Sequence, residues 1–238
     1  MQYLGGKSKI RKQIATFLES LRKTNQVYFE PFVGGGWVLQ EMSGKRIASD
    51  GNKALIQLYK SLQQGWIPPD FVSEEEYKQV KLVYDESSPM LAFCGFGCSF
   101  AGKWFGGYAR SEGKRRYATN CKRSLMKQLP MIQDVKFEHR LFHEWNPKNA
   151  LIYCDPPYQG TTQYGAFDGF NHELFWQTMR NWVNNGNTVV VSEYNAPEDF
   201  VCVKEMTSQM GLSVGNTTNR LNRIEKLFMH NSQVGLLL

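Results

Sequence analysis

The strongest constraint on the fold of this chain is the order of its first elements. A short β-rich run at residues 27–29 is followed by a glycine triplet at residues 34–36. Residues 37–42 have the pattern of a helix, residues 46–49 that of a second strand, and Asp50 ends that strand. This is the order of a mononucleotide-binding βαβ unit, so we expect an α/β sheet with a ligand site at the glycine turn.

The remaining hydrophobic pattern extends the same architecture. Helices are predicted at residues 8–22, 52–64, 73–84, 120–128 and 171–183. Further strands are predicted at residues 135–139, 150–154, 188–192, 202–206 and 226–230, which gives seven in all. Strands that alternate with helices predict an α/β sheet covered by helices on both faces.

The middle of the chain does not follow this alternation. Residues 65–133 are predicted to be an inserted, mostly helical subdomain, with residues 1–64 and 134–238 forming the main domain. Residues 102–127 carry eight Lys and Arg residues against one Glu, an excess greater than the +6 net charge of the whole chain. A basic segment on a nearly neutral body favours nucleic acid as the partner.

Several classes of protein are disfavoured by composition. The 238 residues contain no apolar run long enough to span a membrane, and the first ten residues lack the apolar region of a secretory signal. We therefore expect a cytoplasmic protein with no membrane partner. Five cysteines without a CxxC pair do not predict disulfides. A zinc site formed by Cys94, Cys98, His139 and His143 is disfavoured because the two pairs lie far apart in the sequence. No serine lies in a G-x-S-x-G motif, so hydrolase chemistry has no support.

The sharpest chemical signal is Asp155-Pro156-Pro157-Tyr158, directly after the apolar run 150–154. The strand places this loop at the carboxyl edge of the sheet, where ligands bind in open α/β folds. The two prolines stiffen the loop and leave carbonyl acceptors without local N–H partners. A carboxylate, a free carbonyl and an aromatic ring in one rigid loop suit a planar base that bears an exocyclic amine.

The glycine triplet and Asp50 suggest the other half of such a site. Glycine lets the backbone approach a ligand closely at the start of a helix. Asp50, at the end of the next strand, is placed to accept hydrogen bonds from ribose hydroxyls. The spacing is not G-x-G-x-x-G, which makes a dinucleotide less natural.

Four motifs in this order resemble the Dam-type (alpha-group) DNA adenine-N6 methyltransferases. They are residues 3–7 (aromatic-x-G-G-K), 30–36 (E-P-F-x-G-x-G), 49–52 (containing D-x-N) and 155–158 (D-P-P-Y). Residues 223–228 are similar to a late segment of the same relatives. The resemblance implies a Rossmann-like S-adenosylmethionine-dependent methyltransferase fold with a mixed seven-stranded sheet, in which the insertion reads the target.

The resemblance also implies the cofactor and the roles of the site residues. S-adenosyl-L-methionine would be the methyl donor, and no metal is implied. The cofactor-binding residues carried over are Tyr3, Lys7, Glu30, Phe32, Gly34, Gly36, Asp50 and Asp155. The catalytic residues carried over are Asp155, Pro156, Pro157 and Tyr158, with Tyr158 stacked on an adenine flipped out of double-stranded DNA.

The insertion departs most from the family pattern, so the family's well-known recognition sequence is not carried over. Seven residues are predicted to bind DNA: Lys103, Trp104, Tyr108, Arg110, Lys114, Arg115 and Arg116. Trp104, Phe105 and Tyr108 have an alternative role as a small core beneath the insertion. Thr161, Thr162 and Tyr164, and also Ser192, Glu193 and Tyr194, are weaker candidates to line the pocket.

Three alternatives stay open at this point. The first is the same chemistry on RNA or a protein amide, whose enzymes tend to carry N-P-P-Y. The second is cytosine-N4 methylation, usually marked by S-P-P-Y. The third is a non-catalytic DNA-binding relative that kept the fold. The size of the chain favours a monomer or a weak dimer on DNA.

Overall fold

A computed structural model describes residues 1–110, 116–160, 169–214 and 217–237, with side chains described outside 208–223 and 237. Its strands are β1 (Val27–Glu30), β2 (Arg46–Asp50), β3 (Lys136–His139), β4 (Ala150–Cys154), β5 (Thr188–Glu193), β6 (Phe200–Val214) and β7 (Thr217–His230). Its α-helices are α1 (Arg11–Leu21), α2 (Lys53–Gln63), α3 (Glu74–Val83), α4 (Pro89–Ala92), α5 (Tyr117–Ile132) and α6 (His172–Asn184). Short 3₁₀ segments lie at Leu39–Glu41, Phe100–Gly102, Phe142–Glu144 and Asn231–Leu237, and a π-turn at Phe93–Gly97.

The seven strands form one mixed sheet in the order β3-β2-β1-β4-β5-β7-β6. Strands β1 to β5 are parallel to their neighbours within that group, and β7 runs antiparallel to both β5 and β6. This is the Rossmann strand order with one antiparallel strand added near an edge. The predicted Rossmann-like methyltransferase fold is confirmed.

Successive residues of the central strands face opposite sides of the sheet, as strand geometry requires. Tyr28, Leu151 and Tyr153 enter one core, which also contains the buried sides of α1, α2 and α5. Phe29 and Ile152 enter the other core, which α6 covers. Helices therefore lie on both faces, as the sequence predicts.

Two local expectations are corrected. Residues 37–42 form only the 3₁₀ turn Leu39–Glu41 rather than a helix. The N–H groups of Glu41 and Met42 donate to carbonyls three residues back, and the buried Arg46 guanidinium donates to the carbonyls of Leu39 and Met42. The strands expected at residues 202–206 and 226–230 are parts of the much longer hairpin β6–β7. The helix predicted at residues 73–84 is present as α3, which begins at a capping box formed by Ser73 and Glu76.

The cysteines behave as small apolar residues. Cys94, Cys98, Cys121 and Cys154 are buried free thiols, and Cys202 is an exposed one. Across the described part of the chain, no three His, Cys, Asp or Glu side chains lie together as a metal site would require. No helix within the same ranges is long and apolar enough to cross a membrane.

The insertion is packed onto the main sheet. Phe93 and Leu125, from the predicted insertion, lie in the same core cluster as Ile14 and Leu55. The boundary at residues 65–133 stays a prediction. The shared core indicates that α5 and the sheet stabilise each other.

We expect Leu125→Ala to lower the free energy of unfolding by about 2–5 kcal/mol, because it leaves a cavity between α5 and the sheet. Chemical denaturation followed by circular dichroism should show one cooperative transition, shifted as a whole. The control Lys127→Ala, at an exposed position of the same helix, should change stability by less than about 0.5 kcal/mol. A separate early transition confined to the insertion would contradict the shared core.

Candidate active site

Acidic residues stand at the carboxyl ends of four neighbouring parallel strands. Glu30 ends β1, Asp50 ends β2, Asp155 follows β4 and Glu193 ends β5. Parallel strands bring these ends to one edge of the sheet, where open α/β folds bind their ligands. The candidate site is built at this edge.

The glycine loop between β1 and the 3₁₀ turn requires glycine at two positions. Gly34 and Gly36 have φ of +44° and +64°, in the left-handed region. A Cβ on Gly34 would lie 2.9 Å from Cε1 of Tyr3, and a Cβ on Gly36 would lie 2.9 Å from Nε2 of Gln128. The predicted cofactor residues Tyr3, Gly34 and Gly36 are therefore brought together.

Two residues that sequence reasoning missed fix this loop through its carbonyls. The Tyr59 hydroxyl donates to the Gly34 carbonyl at 2.8 Å. Gln128 Nε2 donates to the carbonyls of Gly35 and Gly36, at 3.1 and 2.8 Å. A signal for Gln128 exists, because it falls on the buried stripe of α5 between Leu125 and Ile132.

Asp50 closes the loop from the other side. Its Oδ2 accepts from the Gly34 N–H at 3.0 Å, and its Oδ1 from the Asn52 N–H at 2.9 Å. Burial raises the pKa of Asp50 to about 6, although both backbone hydrogen bonds and the nearby His139 oppose this. Each carboxylate oxygen keeps a lone pair for another donor, such as a hydroxyl group.

The DPPY loop is held by an ion pair. Lys7 Nζ lies 2.6 Å from Oδ1 and 2.8 Å from Oδ2 of Asp155, and it also donates to the Gly5 carbonyl at 3.2 Å. The lysine side chain is 6% exposed and the aspartate 21%. Charge-assisted contacts of this kind fix the orientation of a carboxylate more firmly than neutral hydrogen bonds do.

Tyr158 is buried next to this pair. Its hydroxyl donates to Oε1 of Glu225, on β7, and Lys7 Nζ lies 4.9 Å from the centre of its ring. Tyr194 meets the ring edge-on with centroids 4.8 Å apart. Sequence similarity covered Glu225 without giving it a role, since its contact with Tyr158 is made only in the folded sheet.

Glu193 holds the far end of the DPPY loop. Its two oxygens accept from the backbone N–H groups of Gln159 and Tyr194, at 2.6 and 2.9 Å. Burial raises the pKa of Glu193 to about 7, and the nearby Asp155 and Glu225 act in the same direction. The weak sequence candidates Glu193 and Tyr194 thus lie at the site.

Glu30 and Phe32 are placed towards the interior. Glu30 is buried and accepts a hydrogen bond from the Tyr28 hydroxyl at 2.9 Å, and burial raises its pKa well above the usual range. Phe32 is half-buried and packs on Phe142 and Phe175, with centroids 5.3 and 5.8 Å away. The predicted role of both residues in cofactor binding stays a prediction.

The predicted DNA-binding residues divide into two groups. Lys103, Arg110 and Arg116 are exposed, although Arg110 forms a double contact with Glu74 at 2.9 and 3.1 Å. Trp104 instead packs on Phe96, Phe105 and Tyr84, and the Tyr108 hydroxyl donates to the Val72 carbonyl. Lys114 and Arg115, with Thr161, Thr162 and Tyr164, lie outside the described residues.

The loop that carries Lys103 touches the N-terminal motif. The Leu4 N–H donates to the Gly102 carbonyl at 3.3 Å, and a Cβ on Gly102 would lie 2.9 Å from the Tyr3 backbone nitrogen. Phe100, two residues earlier, is 64% exposed, and no sequence pattern distinguishes it from its aromatic neighbours. The basic insertion therefore adjoins the segment that presents Lys7.

Asp50 and Glu193 should make folding pH-dependent. Their folded pKa values, about 6 and about 7, exceed the ordinary values of 3.8 and 4.5, so the folded state binds more protons in between. The free energy of unfolding should therefore fall as pH rises from about 5 to about 7. Chemical denaturation at a series of pH values measures this change. Over the interval, the free energy of unfolding of the double variant Asp50→Asn/Glu193→Gln should fall less than that of the wild type. An equally steep decline in the double variant would exclude these two groups as its origin.

Comparison with known proteins identifies the family. The model of the D12 class N6 adenine-specific DNA methyltransferases matches residues 3–88 and 106–198. These ranges contain every predicted motif from Tyr3 to Tyr158, and their interruption falls inside the predicted insertion.

Individual relatives are distant. The Type II methyltransferase M.MjaIII of Methanocaldococcus jannaschii is 23% identical, over 71% of this chain and 72% of its own. Among solved structures, a proposed RNA methyltransferase of Pyrococcus horikoshii has a TM-score of 0.43 at 10% identity, over 95% of this chain and 84% of its own. A precorrin 8w decarboxylase of Methanobacterium thermoautotrophicum has a TM-score of 0.42 at 11% identity, over 93% and 89%. On the family match, which covers most of the chain, this protein belongs to the D12 class of N6 adenine-specific DNA methyltransferases.

Proposed function

We propose that this protein transfers a methyl group from S-adenosylmethionine to N6 of an adenine that is rotated out of a specific double-stranded DNA sequence. Family membership gives adenine methylation in DNA, and family and fold together imply S-adenosylmethionine as the methyl donor. The rotation of the base out of the duplex and the recognition of a specific DNA sequence are further parts of the proposal, which family membership alone does not provide. The observation that carries the proposal is the Lys7–Asp155 pair at the carboxyl end of β4, beside the glycine loop.

The side chains at the sheet edge fit this cofactor. Asp50 keeps acceptor capacity for the two ribose hydroxyls. The glycine loop and Tyr3 lie next to it, and Lys7 and Asp155 offer opposite charges suited to the amino-acid end of the molecule. S-adenosylmethionine supplies a methyl group that its sulfonium already makes electrophilic.

Asp155 is the proposed catalytic residue. Adenine N6 is a poor nucleophile because its lone pair is delocalised into the ring. The Asp155 carboxylate and the Pro156 carbonyl would each accept a hydrogen bond from one of the two N6 hydrogens. These hydrogen bonds would localise the lone pair on N6 and direct it towards the methyl group. Lys7 holds the carboxylate in place before the base arrives, so the step depends on positioning and electrostatics.

The carboxylates of the site support methyl transfer to N6. Positive charge develops on N6 as its bond to the methyl group forms and the bond from that methyl group to sulfur breaks, and anionic groups close by stabilise this charge. N6 then loses one hydrogen as a proton, which the Asp155 carboxylate can accept and pass to water. Asp155 and Glu225 lie against Lys7, and Glu193 lies near enough to both carboxylates for its pKa to respond. Tyr158 is the proposed stacking partner of the base, with Pro157 stiffening the loop between them.

The insertion is the proposed DNA-reading element. A base must leave the duplex before an enzyme can reach N6. Lys103 and Arg116 are exposed cations that precede α5, and Lys114 and Arg115, which lie between them in the sequence, are proposed to act with them. Arg110 would have to exchange Glu74 for a phosphate, which is feasible because exposed ion pairs are weak.

We expect Asp155→Ala to reduce methyl transfer by at least about 10³-fold, because the oriented acceptor for the amine is lost. The measurement is nucleoside mass spectrometry of N6-methyladenine in unmethylated duplex DNA incubated with protein and S-adenosylmethionine. Circular dichroism should show that the variant remains folded. Substantial N6-methyladenine formation by folded Asp155→Ala would rule out this active site.

The same assay separates the alternatives. RNA incubated in parallel should remain unmethylated, and N4-methylcytosine should be absent from the DNA. Methylation of RNA but not of DNA would replace the proposal with an RNA enzyme. Cofactor binding without any methylated base would indicate a non-catalytic relative.

We expect the double variant Lys103→Gln/Arg116→Gln to bind duplex DNA more weakly and with a smaller salt dependence. Each lost phosphate contact should lower the slope of log K against log salt concentration by about 0.9. Fluorescence anisotropy across a salt series measures this slope.

The matched control is Lys45→Gln/Lys148→Gln, which removes the same charge from exposed positions at the amino ends of β2 and β4. That edge of the sheet lies opposite the candidate site. The control variant should therefore show the same slope of log K against log salt concentration as the wild type. Equal slopes for both double variants would place the DNA footprint elsewhere.

A further inference from the structure

We propose that Glu225 is a positioning residue for methyl transfer, whose carboxylate sets the orientation of both Tyr158 and Lys7. The inference rests on the proposed function and extends it to a strand outside the matched family ranges, which end at residue 198. Glu225 belongs to β7, the antiparallel strand between β5 and β6.

Its carboxylate is buried among residues of the site. Glu225 is 3% exposed, Oε1 accepts the Tyr158 hydroxyl hydrogen, and the same oxygen lies 3.5 Å from Lys7 Nζ. A carboxylate taken out of water is costly unless it is paired and hydrogen-bonded. Here one oxygen contacts both the ring proposed to stack on the base and the cation that holds Asp155.

The arrangement fixes the DPPY loop along its length. Asp155 is tied through Lys7, Tyr158 is tied directly to Glu225, and the N–H of Gln159 is tied to Glu193. The strands that supply the two glutamates are adjacent, since Glu193 on β5 pairs with Lys226 on β7. Loss of Glu225 would free the Tyr158 ring to tilt and would leave Lys7 with one anionic neighbour fewer.

A positioning role makes a specific kinetic prediction. We expect Glu225→Ala to lower the single-turnover rate constant on duplex DNA by about 10²-fold, since small misplacements at a reacting centre have effects of that size. The KM for DNA should stay within about threefold, because the variant disturbs alignment rather than binding. Glu225→Gln, which keeps the size and an acceptor oxygen for Tyr158, should lose less activity than Glu225→Ala.

A double-variant cycle tests whether Glu225 acts through Tyr158. If it does, Tyr158→Phe in the Glu225→Ala background should lower the rate by less than about threefold further, whereas independent effects would multiply. Glu205→Gln is the control, because Glu205 is an exposed glutamate on the neighbouring strand β6. Multiplicative losses would overturn the proposal, and so would a Glu225→Ala effect confined to the KM for DNA.

A second readout does not depend on activity. In protein labelled with ¹³C at the tyrosine ζ carbon, Tyr158→Phe identifies the Tyr158 resonance. Glu225→Ala should shift that resonance, and Glu205→Gln should leave it in place. If the Ala variant does not fold, Glu225→Gln is used for both readouts and should give a smaller shift and a smaller loss.

The two readouts separate the two proposals. If the wild-type protein binds S-adenosylmethionine but methylates no DNA, the proposed function is wrong. The Tyr158 resonance still shows in that case whether Glu225 holds Tyr158. An active wild type with an unshifted Tyr158 resonance in the folded Glu225 variant removes the role of Glu225 alone.

Discussion

The ion pair between Lys7 and Asp155 is the interaction on which the rest of the site depends. It joins the N-terminal segment, which places the Tyr3 ring against Gly34, to the carboxyl end of β4. Both charges lie largely out of water, and removing one partner from such a pair leaves an uncompensated charge inside the protein. The glycine loop, the DPPY loop and β7 are therefore all positioned relative to one ammonium group.

The basic insertion contacts the segments that surround this ion pair. Its loop accepts a hydrogen bond from Leu4 at the Gly102 carbonyl, and its helix α5 donates from Gln128 to the glycine loop. The same helix shares a core with α1, α2 and one face of the sheet. The segment proposed to read DNA is thus in contact with the N-terminal motif and with the glycine loop of the candidate site.

Much of this architecture is predictable from sequence because local patterns determine it. Glycines after β1, Asp50 after β2 and Asp155 after β4 reach the same edge as soon as the strands are parallel. What the local pattern does not predict depends on tertiary structure. Residues 39–41 form a 3₁₀ turn where the pattern predicts a helix, and Gln128 reaches the glycine loop from a distant helix. Trp104 packs on Phe96, the alternative role that the sequence left open, and its DNA contact stays a prediction. Tyr59 and Glu225 acquire their roles only when distant segments meet.

The span of the site along the chain has a consequence for folding. Lys7 lies far from both Asp155 and Glu225 in the sequence, so its contacts with them close very long loops. Contacts between residues so distant in sequence have a high contact order. Their formation carries a large entropic cost of loop closure, which the contacts must offset before they stabilise the folded state. The N-terminal half contains the glycine loop and Asp50, and the C-terminal half contains the DPPY loop with Glu193 and Glu225, so each half holds only part of the site. The contacts of Glu225 with Lys7 and Tyr158 form only when β7 has joined the sheet, so a chain truncated before β7 lacks the complete set of contacts around Lys7.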